Sequence, residues 1–475
     1  MSLELERRKD MTVTPKILFM PHANIQYSQL QPSKRVWVIK NSYEKLFDLV
    51  GESDYRIAFE ASGETINLIA KNCPNVLKKL KNLIKNKKLE PVASPYTHIM
   101  LSNIDPEIGL ATLKDGLDVW EKYTGVRPET GWNPECGWAS YMPEIYKRAG
   151  FKILVMDADS FLLSFKKIRE ATGLKFDVQG HSNKNLLFKI EEYIKDKPEF
   201  LRYLTNPSKF NNGLIMVFRS DMMSNLMLWY LMGVTEEARE KPVSLDEIKV
   251  MLEKWKKRIK ETGAFIMPYA EDSEYIGTSA YFYVKQFGLA RFFEPEPESI
   301  VRFKQLLDLA KQCGYTLSTP TDVVKNAKNI IKNEFVKNIE NGVAWHGGTA
   351  KAWANTKYSR IMDPVCKSIF DGIKEINKYL KKNFDTMDAA LKNALKKVIS
   401  AYVSDSRWPP DPVSPGRFNV KESIKDLFDA NEFVKQSMKK NNIESVKSLY
   451  SPDIMMTQIE AIEGELMKMK YFGEK

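Results

Sequence analysis

Short apolar segments alternate with longer amphipathic segments along the chain between residues 16 and 272. The short segments are rich in β-branched and aromatic residues and predict strands. They cover residues 16–24, 55–62, 89–96, 130–135, 151–159, 214–221 and 264–272. The segments between them, such as 106–123 and 244–263, carry apolar residues at helical spacing and often begin with Ser, Asp or Pro. This alternation predicts an α/β fold with a parallel sheet, and the chain length favours a closed or nearly closed barrel over an open sheet.

The chain changes character after the segment EPEPES (294–299) and becomes largely helical. We expect helices over residues 299–313, 321–340, 364–400, 420–439 and 451–470, with a proline-rich connection at 406–416. The predicted division is therefore an N-terminal extension (1–15), a catalytic barrel (16–295) and a C-terminal helical domain (296–475) that completes the active-site cleft.

Composition restricts the environment and the partners of the protein. The chain has 72 Lys and Arg against 61 Asp and Glu, a net charge of +11, but the lysines alternate with apolar residues on helix faces, so no nucleic-acid partner is expected. Its four cysteines are far apart and form no zinc spacing, which predicts reduced, buried thiols. The N-terminus has no apolar segment of signal-peptide length, and no segment reaches the ~20 apolar residues of a membrane span. We expect a cytoplasmic protein without a membrane partner, and a homo-oligomer is left open.

Polar residues follow the predicted strands where each strand ends, and barrels of this class have their active sites at the carboxyl ends of the strands. The group comprises His22, Glu60, His98, Glu135, Asp157, Asp159, Asp221, Asp272 and Glu274. For Glu60, Asp157 and Asp159, a role as a helix cap or turn former is as good an interpretation as a catalytic one.

The segment GWNPECGW (131–138) places Glu135 between two tryptophans, Trp132 and Trp138. A buried charge needs compensation, and indole rings that exclude water are unnecessary around a simple cap. Two carboxylates from different strands, with aromatic rings beside them, suit hydrolysis of a glycosidic bond. Rings that could stack on a sugar, or that alternatively form barrel core, are Trp132, Trp138, Trp229, Tyr275, Trp345 and Trp353.

The order of the segments MPHAN, KLEPVASPYTH, GWNPECGW, FRSDMMSN and YAEDSEYIG, with GVAWHGG downstream, resembles glycoside hydrolase family 57. The resemblance covers roughly residues 16–355. It implies an incomplete, TIM-like (β/α)7 barrel, a retaining mechanism on α-glucans such as the α-amylase-like hydrolysis of α-1,4 linkages, and neither metal nor cofactor. The family also contains 4-α-glucanotransferases and α-galactosidases, so these activities stay open.

The resemblance also implies roles for individual residues. Glu135 matches the nucleophile, and Asp221 is the best match to the general acid/base. Expected contacts to substrate are His22, Glu90, His98, Trp132, Trp138, Asp272, Glu274, Trp345 and His346.

Three blocks depart from the family pattern: the first reads PHAN rather than His-Gln-Pro, the second lacks Gly-Asn or Gly-Gln before its glutamate, and the fourth departs most. The order Phe218, Arg219, Ser220, Asp221 displaces the acid by one residue relative to the expected Phe-Arg-Asp, and one step along a strand turns a side chain to the opposite face. Arg219 could then pair with a carboxylate. This departure motivates a non-catalytic glucan-binding relative as an alternative. A metal-dependent polysaccharide deacetylase, with Zn²⁺ on His22, His98 and Asp157, is the other.

Overall fold

The computed structural model describes residues 14–27, 30–177, 183–233, 241–279, 294–332, 339–384, 386–407, 418–443, 450–466 and 468. Most of the predicted N-terminal extension (1–15) and of the proline-rich connection (406–416) lies outside the described residues.

Every strand segment predicted from the sequence contains a strand, and the first segment contains two. The strands are β1 (Lys16–Phe19), β2 (His22–Ala23), β3 (Ile57–Ala61), β4 (Leu89–Ala93), β5 (Thr130–Trp132), β6 (Ile153–Asp157), β7 (Ser208–Lys209), β8 (Ile215–Arg219), β9 (Phe265–Tyr269), β10 (Gly277–Thr278), β11 (Pro295–Glu296), β12 (Thr316–Ser318), β13 (Ile331–Lys332), β14 (Val343–Ala344) and β15 (Gly348–Thr349).

The helices of the first part of the chain fill the intervals between these strands. They are α1 (Arg35–Val38), α2 (Glu44–Gly51), α3 (Gly63–Asn72), α4 (Pro74–Lys85), α5 (Pro106–Thr124), α6 (Met142–Ala149), α7 (Ala158–Leu163), α8 (Lys166–Thr172), α9 (Phe188–Ile194), α10 (Pro198–Thr205), α11 (Asp221–Met232) and α12 (Leu245–Thr262). The expected caps are present: Asp105 accepts a hydrogen bond from the first turn of α5, and Ser244 forms a capping box with Glu247 at α12.

The later part of the chain is mainly helical, as predicted. Its helices are α13 (Pro297–Gln312), α14 (Pro320–Lys325), α15 (Lys351–Ala354), α16 (Lys357–Tyr379), α17 (Ala389–Ala401), α18 (Phe418–Lys440) and α19 (Pro452–Leu466). None of the described helices is both long enough and apolar enough to cross a membrane.

Two helix predictions in this region are wrong in extent. The helix expected over 321–340 ends at Lys325, and the chain then forms β13, which pairs with β7. The helix expected over 364–400 is two helices, because Lys381 has a left-handed φ of 53° and Asp388 caps the start of α17. Apolar residues continue at helical spacing across both breaks, so the sequence pattern predicted unbroken helices.

The strands form an eight-stranded sheet in the order β13-β7-β8-β6-β5-β4-β3-β2 and a three-stranded sheet in the order β12-β1-β9. Pairing is parallel from β2 through β6 to β8 and antiparallel between β7 and β8. This confirms the α/β fold and the C-terminal helical region. Because the main strands are divided between two of the four sheets that the described residues form, the incomplete (β/α)7 barrel stays a prediction.

A compact apolar cluster lies against one face of the main strands and is separate from the larger core beneath the helices. Its members from the strands are Leu18 (β1), Ala58 (β3), Val92 (β4), Trp132 (β5), Ile153 and Val155 (β6), Val217 (β8), and Phe265 and Met267 (β9). Side chains of a strand alternate between its faces, so these residues share one face and their neighbours contact the helices. The polar residues that follow the strands lie at the end of this cluster.

Candidate active site

Glu135 lies in a tight turn directly after β5. The turn Pro134–Cys136 is a single 3₁₀ turn in which Glu135 has a left-handed φ of 58°. This conformation is uncommon for a residue with a side chain and costs about 1–3 kcal/mol, so the surroundings must hold it in place. A Cβ on Gly137, the first residue after the turn, would lie 2.2 Å from Sδ of Met100, so a larger residue there would displace the Met100 side chain.

Three side chains surround the carboxyl group of Glu135, which is 12% exposed. The indole Nε1 of Trp345 donates to Oε2 at 2.8 Å, and the hydroxyl of Ser404 donates to Oε1 at 2.8 Å. Nδ1 of His98 lies 3.4 Å from Oε1. Burial, followed by the negative charge of Asp405, raises the pKa of Glu135 to about 8, and the hydrogen bonds from Ser404 and Trp345 oppose this rise.

His98 and Ser404 form a short relay to Glu135. Nδ1 of His98 is 2.9 Å from Oγ of Ser404. Because the hydroxyl of Ser404 donates to Glu135, its oxygen is left to accept the Nδ1–H of His98. Burial lowers the pKa of His98 well below its usual value, and the neighbouring His22 lowers it further, so His98 is neutral.

His22 lies beside His98, with ring centroids 5.0 Å apart, and 5.4 Å from the ring of Trp132. Its Nδ1 is hydrogen-bonded to Glu60, and its Nε2 is 3.6 Å from Oδ1 of Asp272. Burial alone would lower the pKa of His22, but Glu60 and then Asp272 raise it to about 9. The positive charge of this imidazolium acts on Glu135 and favours its ionised form.

Asp221 occupies the first position of α11, after Ser220, which caps that helix. Its carboxylate is fully buried: Oδ1 lies 2.5 Å from Nη2 of Arg219, and Oδ2 accepts the main-chain N–H of His346 at 2.5 Å. Nδ1 of His346 is 3.2 Å from the same Oδ2. Burial alone would raise the pKa of Asp221, but Arg219 and His346 hold it well below its usual range. Asp221 is therefore an enclosed, ionised carboxylate.

Asp221 belongs to a network of buried acids around one guanidinium. Asp157, Asp159 and Asp221 place carboxylate oxygens within 4.8 Å of one another. Asp159 accepts the main-chain N–H of Asp221 at 2.7 Å, and Asp157 caps α7. Arg219 also pairs with Glu271 at 2.6 Å. The interpretation of Asp157 as a cap and of Arg219 as a partner of a carboxylate is therefore confirmed.

Two of the predicted substrate contacts lie elsewhere. Glu90 is at the beginning of β4, away from the carboxyl ends of the strands, and accepts hydrogen bonds from Thr130 Oγ1 at 2.6 Å and from the main-chain N–H of Thr321 at 2.9 Å. Trp138 is 2% exposed and stacks on Phe210 with ring centroids 5.9 Å apart. Glu90 thus links β4 to β5, through Thr130, and to the start of α14, through Thr321. Trp138 is part of the core.

The polar contacts that support Glu135 include residues that the sequence analysis did not select. Asp405, beside Ser404 in the 3₁₀ turn Ser404–Ser406, accepts a hydrogen bond from Nδ2 of Asn24 at 2.7 Å. The main-chain N–H of Asn24 in turn donates to Oε1 of Glu274 at 2.9 Å, so Asn24 links the buried Glu274 to Asp405. A serine and an aspartate in a helical region have no pattern that distinguishes them from caps, although SDS directly after a helix marks a turn.

The trio required by the deacetylase alternative is not assembled. Among the described residues, the two groups that bring three potential metal ligands together are His98, Glu135 and Asp405, and Asp157, Asp159 and Asp221. His22 is hydrogen-bonded to Glu60, and Asp157 lies in the second group. In that second group the oxygens already face Arg219 and main-chain N–H groups.

Comparison with known proteins gives consistent results. The family model described as glycosyl hydrolase family 57 matches residues 5–296. An α-amylase from Pyrococcus horikoshii is 23% identical over 252 residues, which is 49% of this chain and 40% of that protein. A branching enzyme from Pyrococcus horikoshii has a similar fold, with a TM-score of 0.60 and 12% identity over 95% of each chain. A 4-α-glucanotransferase from Thermococcus litoralis gives a TM-score of 0.58 and 14% identity over 88% of this chain and 60% of its own.

Proposed function

The chain belongs to glycosyl hydrolase family 57, and from this premise we propose that it hydrolyses α-1,4 linkages of α-glucans with retention of anomeric configuration. Glu135 is the proposed nucleophile. The observation that carries the proposal is the environment of its carboxyl group, which is held by Trp345 and Ser404 in a strained turn and keeps a small opening to solvent. Backbone strain and perturbed pKa values both cluster at functional sites.

In this mechanism a carboxylate oxygen of Glu135 attacks the anomeric carbon while a second carboxyl group protonates the departing oxygen. Indole N–H and hydroxyl donors that point at the nucleophile favour its ionised form. His22 and Asp272, which is 23% exposed, lie where they can bind sugar hydroxyls. Asp221, which the resemblance assigns to the acid/base, would have to leave Arg219 and the main-chain N–H of His346 to reach a substrate.

The proposed architecture is an incomplete (β/α)7 barrel (16–295) with a helical domain (296–475) that completes the cleft. Main-chain hydrogen bonds between the two sheets support the barrel: Ser220 N donates to Met267 O at 3.3 Å, where β8 meets β9. The apolar cluster with members from β1, β3–β6, β8 and β9 is the core expected inside such a barrel. Trp345, Ser404 and Asp405 support the role of the later region in the cleft.

Incubation of the pure protein with maltoheptaose, with separation of the products over time, tests the proposal. Hydrolysis releases smaller maltodextrins only, whereas a 4-α-glucanotransferase produces both shorter and longer chains. Glu135→Gln should abolish either reaction and leave the circular dichroism spectrum unchanged. Turnover by Glu135→Gln at the native rate would reject the assignment.

A non-catalytic glucan-binding protein is the second candidate, favoured by the enclosure of Asp221. Such a protein binds maltoheptaose in a calorimeter and releases no product after prolonged incubation at any pH. Product release that depends on Glu135 would exclude it.

A further inference from the structure

Asp405 places a second carboxyl group beside Glu135. Nδ1 of His98 lies 3.4 Å from Oε1 of Glu135 and 3.9 Å from Oδ2 of Asp405. Oxygen atoms of the two acids come within 4.8 Å of one another. Retaining glycosidases hold their two carboxyl groups about 5–5.5 Å apart, so the spacing fits a double displacement.

The turn that carries Asp405 is fixed to the sheet end of the molecule. Ser404 N donates to the main-chain oxygen of His98 at 2.7 Å, and Val403 forms an antiparallel bridge with Ile99. Nδ2 of Asn24 holds Oδ2 of Asp405 at 2.7 Å. Contacts from two sides keep the carboxyl group within a narrow range of positions, as a proton donor requires.

The surroundings of Asp405 and Asp221 differ in a way that matters for proton transfer. Asp221 contacts a guanidinium at 2.5 Å, which favours the ionised form and opposes delivery of a proton. Asp405 accepts a hydrogen bond from the amide of Asn24, lies 3.9 Å from Nδ1 of His98 and faces the carboxyl group of Glu135. Two acids this close ionise as a pair, and the first negative charge makes the second proton harder to remove.

Resting on the proposed function, we propose that Asp405 is the general acid/base that works with Glu135. In the reactive form of the pair the single shared proton lies on Asp405 and Glu135 is ionised. The Glu135 carboxylate forms a bond to the anomeric carbon as the glycosidic C–O bond breaks, and the departing oxygen takes that proton. The Asp405 carboxylate then removes a proton from water, whose oxygen bonds to the anomeric carbon as the ester bond to Glu135 breaks. Both acids return to their starting forms.

The test compares Asp405→Ala, Asp221→Ala and Glu135→Gln on two substrates, maltoheptaose and 2,4-dinitrophenyl α-maltotrioside, with and without sodium azide. Dinitrophenolate leaves without protonation, so loss of an acid/base spares the first step on that substrate alone. We expect Asp405→Ala to lose 10²–10⁴-fold in rate on maltoheptaose. On the aryl substrate azide should accelerate it and yield a glycosyl azide of retained configuration. Asp429→Asn, whose residue is 37% exposed in a pair with Lys397, is the matched control and should keep the native rate.

Asp405→Asn keeps the size of the side chain and replaces Asp405→Ala if that variant melts early. Native activity of both Asp405 variants on maltoheptaose would overturn the proposal, as would azide rescue of Asp221→Ala without rescue of Asp405→Ala. A wild-type protein that cleaves neither substrate would instead reject the proposed function itself.

Discussion

The indole N–H of Trp345 donates a 2.8 Å hydrogen bond to Oε2 of Glu135, across 210 positions of sequence. The ring also borders the apolar cluster that contains Trp132. One side chain thus orients the proposed nucleophile and covers the core beneath it.

Trp345→Phe tests this hydrogen bond. Phenylalanine keeps most of the ring packing but has no donor, and a hydrogen bond to a charged group contributes about 1.5–3 kcal/mol. Because the lost bond favoured the ionised carboxylate, the proton that Glu135 shares with Asp405 should move toward Glu135, the pKa of Glu135 should rise, and kcat/KM at pH 7 should fall by about 10–100-fold because less of the pair is in the reactive form. The pH–rate profile should move to higher pH. An unchanged profile would show that the bond does not act on the nucleophile.

Glu135→Gln should stabilise the protein at alkaline pH. The folded protein raises the pKa of Glu135 from its ordinary value of 4.5 to about 8. The stability associated with the protonated form is fully present below about pH 4.5 and is lost as pH rises to about 8. Glutamine does not titrate, so the free energy of unfolding of the variant should rise relative to that of the wild type over that range. The rise should reach up to a few kcal/mol, at about 1.36 kcal/mol per pH unit. Urea unfolding at pH 5 and pH 8.5 measures the difference, and equal gains at both pH values would contradict it.

The pH profile of kcat/KM should have its alkaline limb near pH 8. The pair of Glu135 and Asp405 retains one proton up to about that pH because burial and mutual repulsion raise the pKa of Glu135. His98 and the imidazolium of His22, whose pKa is raised to about 9, also face the pair. Asp405→Asn should remove the limb near pH 8 by lowering the pKa of Glu135. If the alkaline limb stays near pH 8 in this variant, it reports the titration of another group.

Arg219→Met should destabilise the fold strongly. The guanidinium is 4% exposed and contacts both Asp221 and Glu271, so its loss leaves buried carboxylates without compensation. Removing one partner of a buried ion pair costs about 3–5 kcal/mol. Arg127→Met is the control, since Arg127 is 37% exposed in its pairs and such pairs contribute about 0–1 kcal/mol. Equal unfolding midpoints for the two variants in guanidinium chloride would disprove the structural role.

Glu90→Ala should affect stability and spare substrate binding. Its carboxylate accepts hydrogen bonds from Thr130 and from both the main chain and the hydroxyl of Thr321, and their loss should cost about 1–3 kcal/mol. KM for maltoheptaose should not change. A large increase in KM with unchanged stability would restore the substrate contact expected from the sequence.

The strands and the residues at their ends were accessible from the sequence because both follow from local patterns. His22 begins the two-residue strand β2, Glu60 is the last but one residue of β3, and the register of the parallel pair places them side by side. Glu90 shows the limit of a motif: β4 begins at Leu89, so its glutamate comes too early in the strand to reach the carboxyl end.

The part of the site that comes from the helical region could not be predicted in this way. Ser404 and Asp405 follow a helix in a region where polar residues at turns are ordinary. Their role in the site depends on the hydrogen bond between Ser404 and His98, about 300 positions earlier in the chain. That bond depends on how the helical region packs against the sheets. The enclosure of Asp221 likewise depends on Arg219 and on the downstream loop at His346.

The junction between Ser404 and His98 also sets an order of assembly during synthesis. Domains fold as the chain emerges, amino-terminal part first, so the sheets can form while the later helices are still being made. The donor to Oε1 of Glu135 and the neighbouring Asp405 arrive only with the turn Ser404–Ser406. A growing chain therefore carries the proposed nucleophile without Ser404 and Asp405 until residue 405 has been made, and any activity that depends on this turn begins only after the turn has docked.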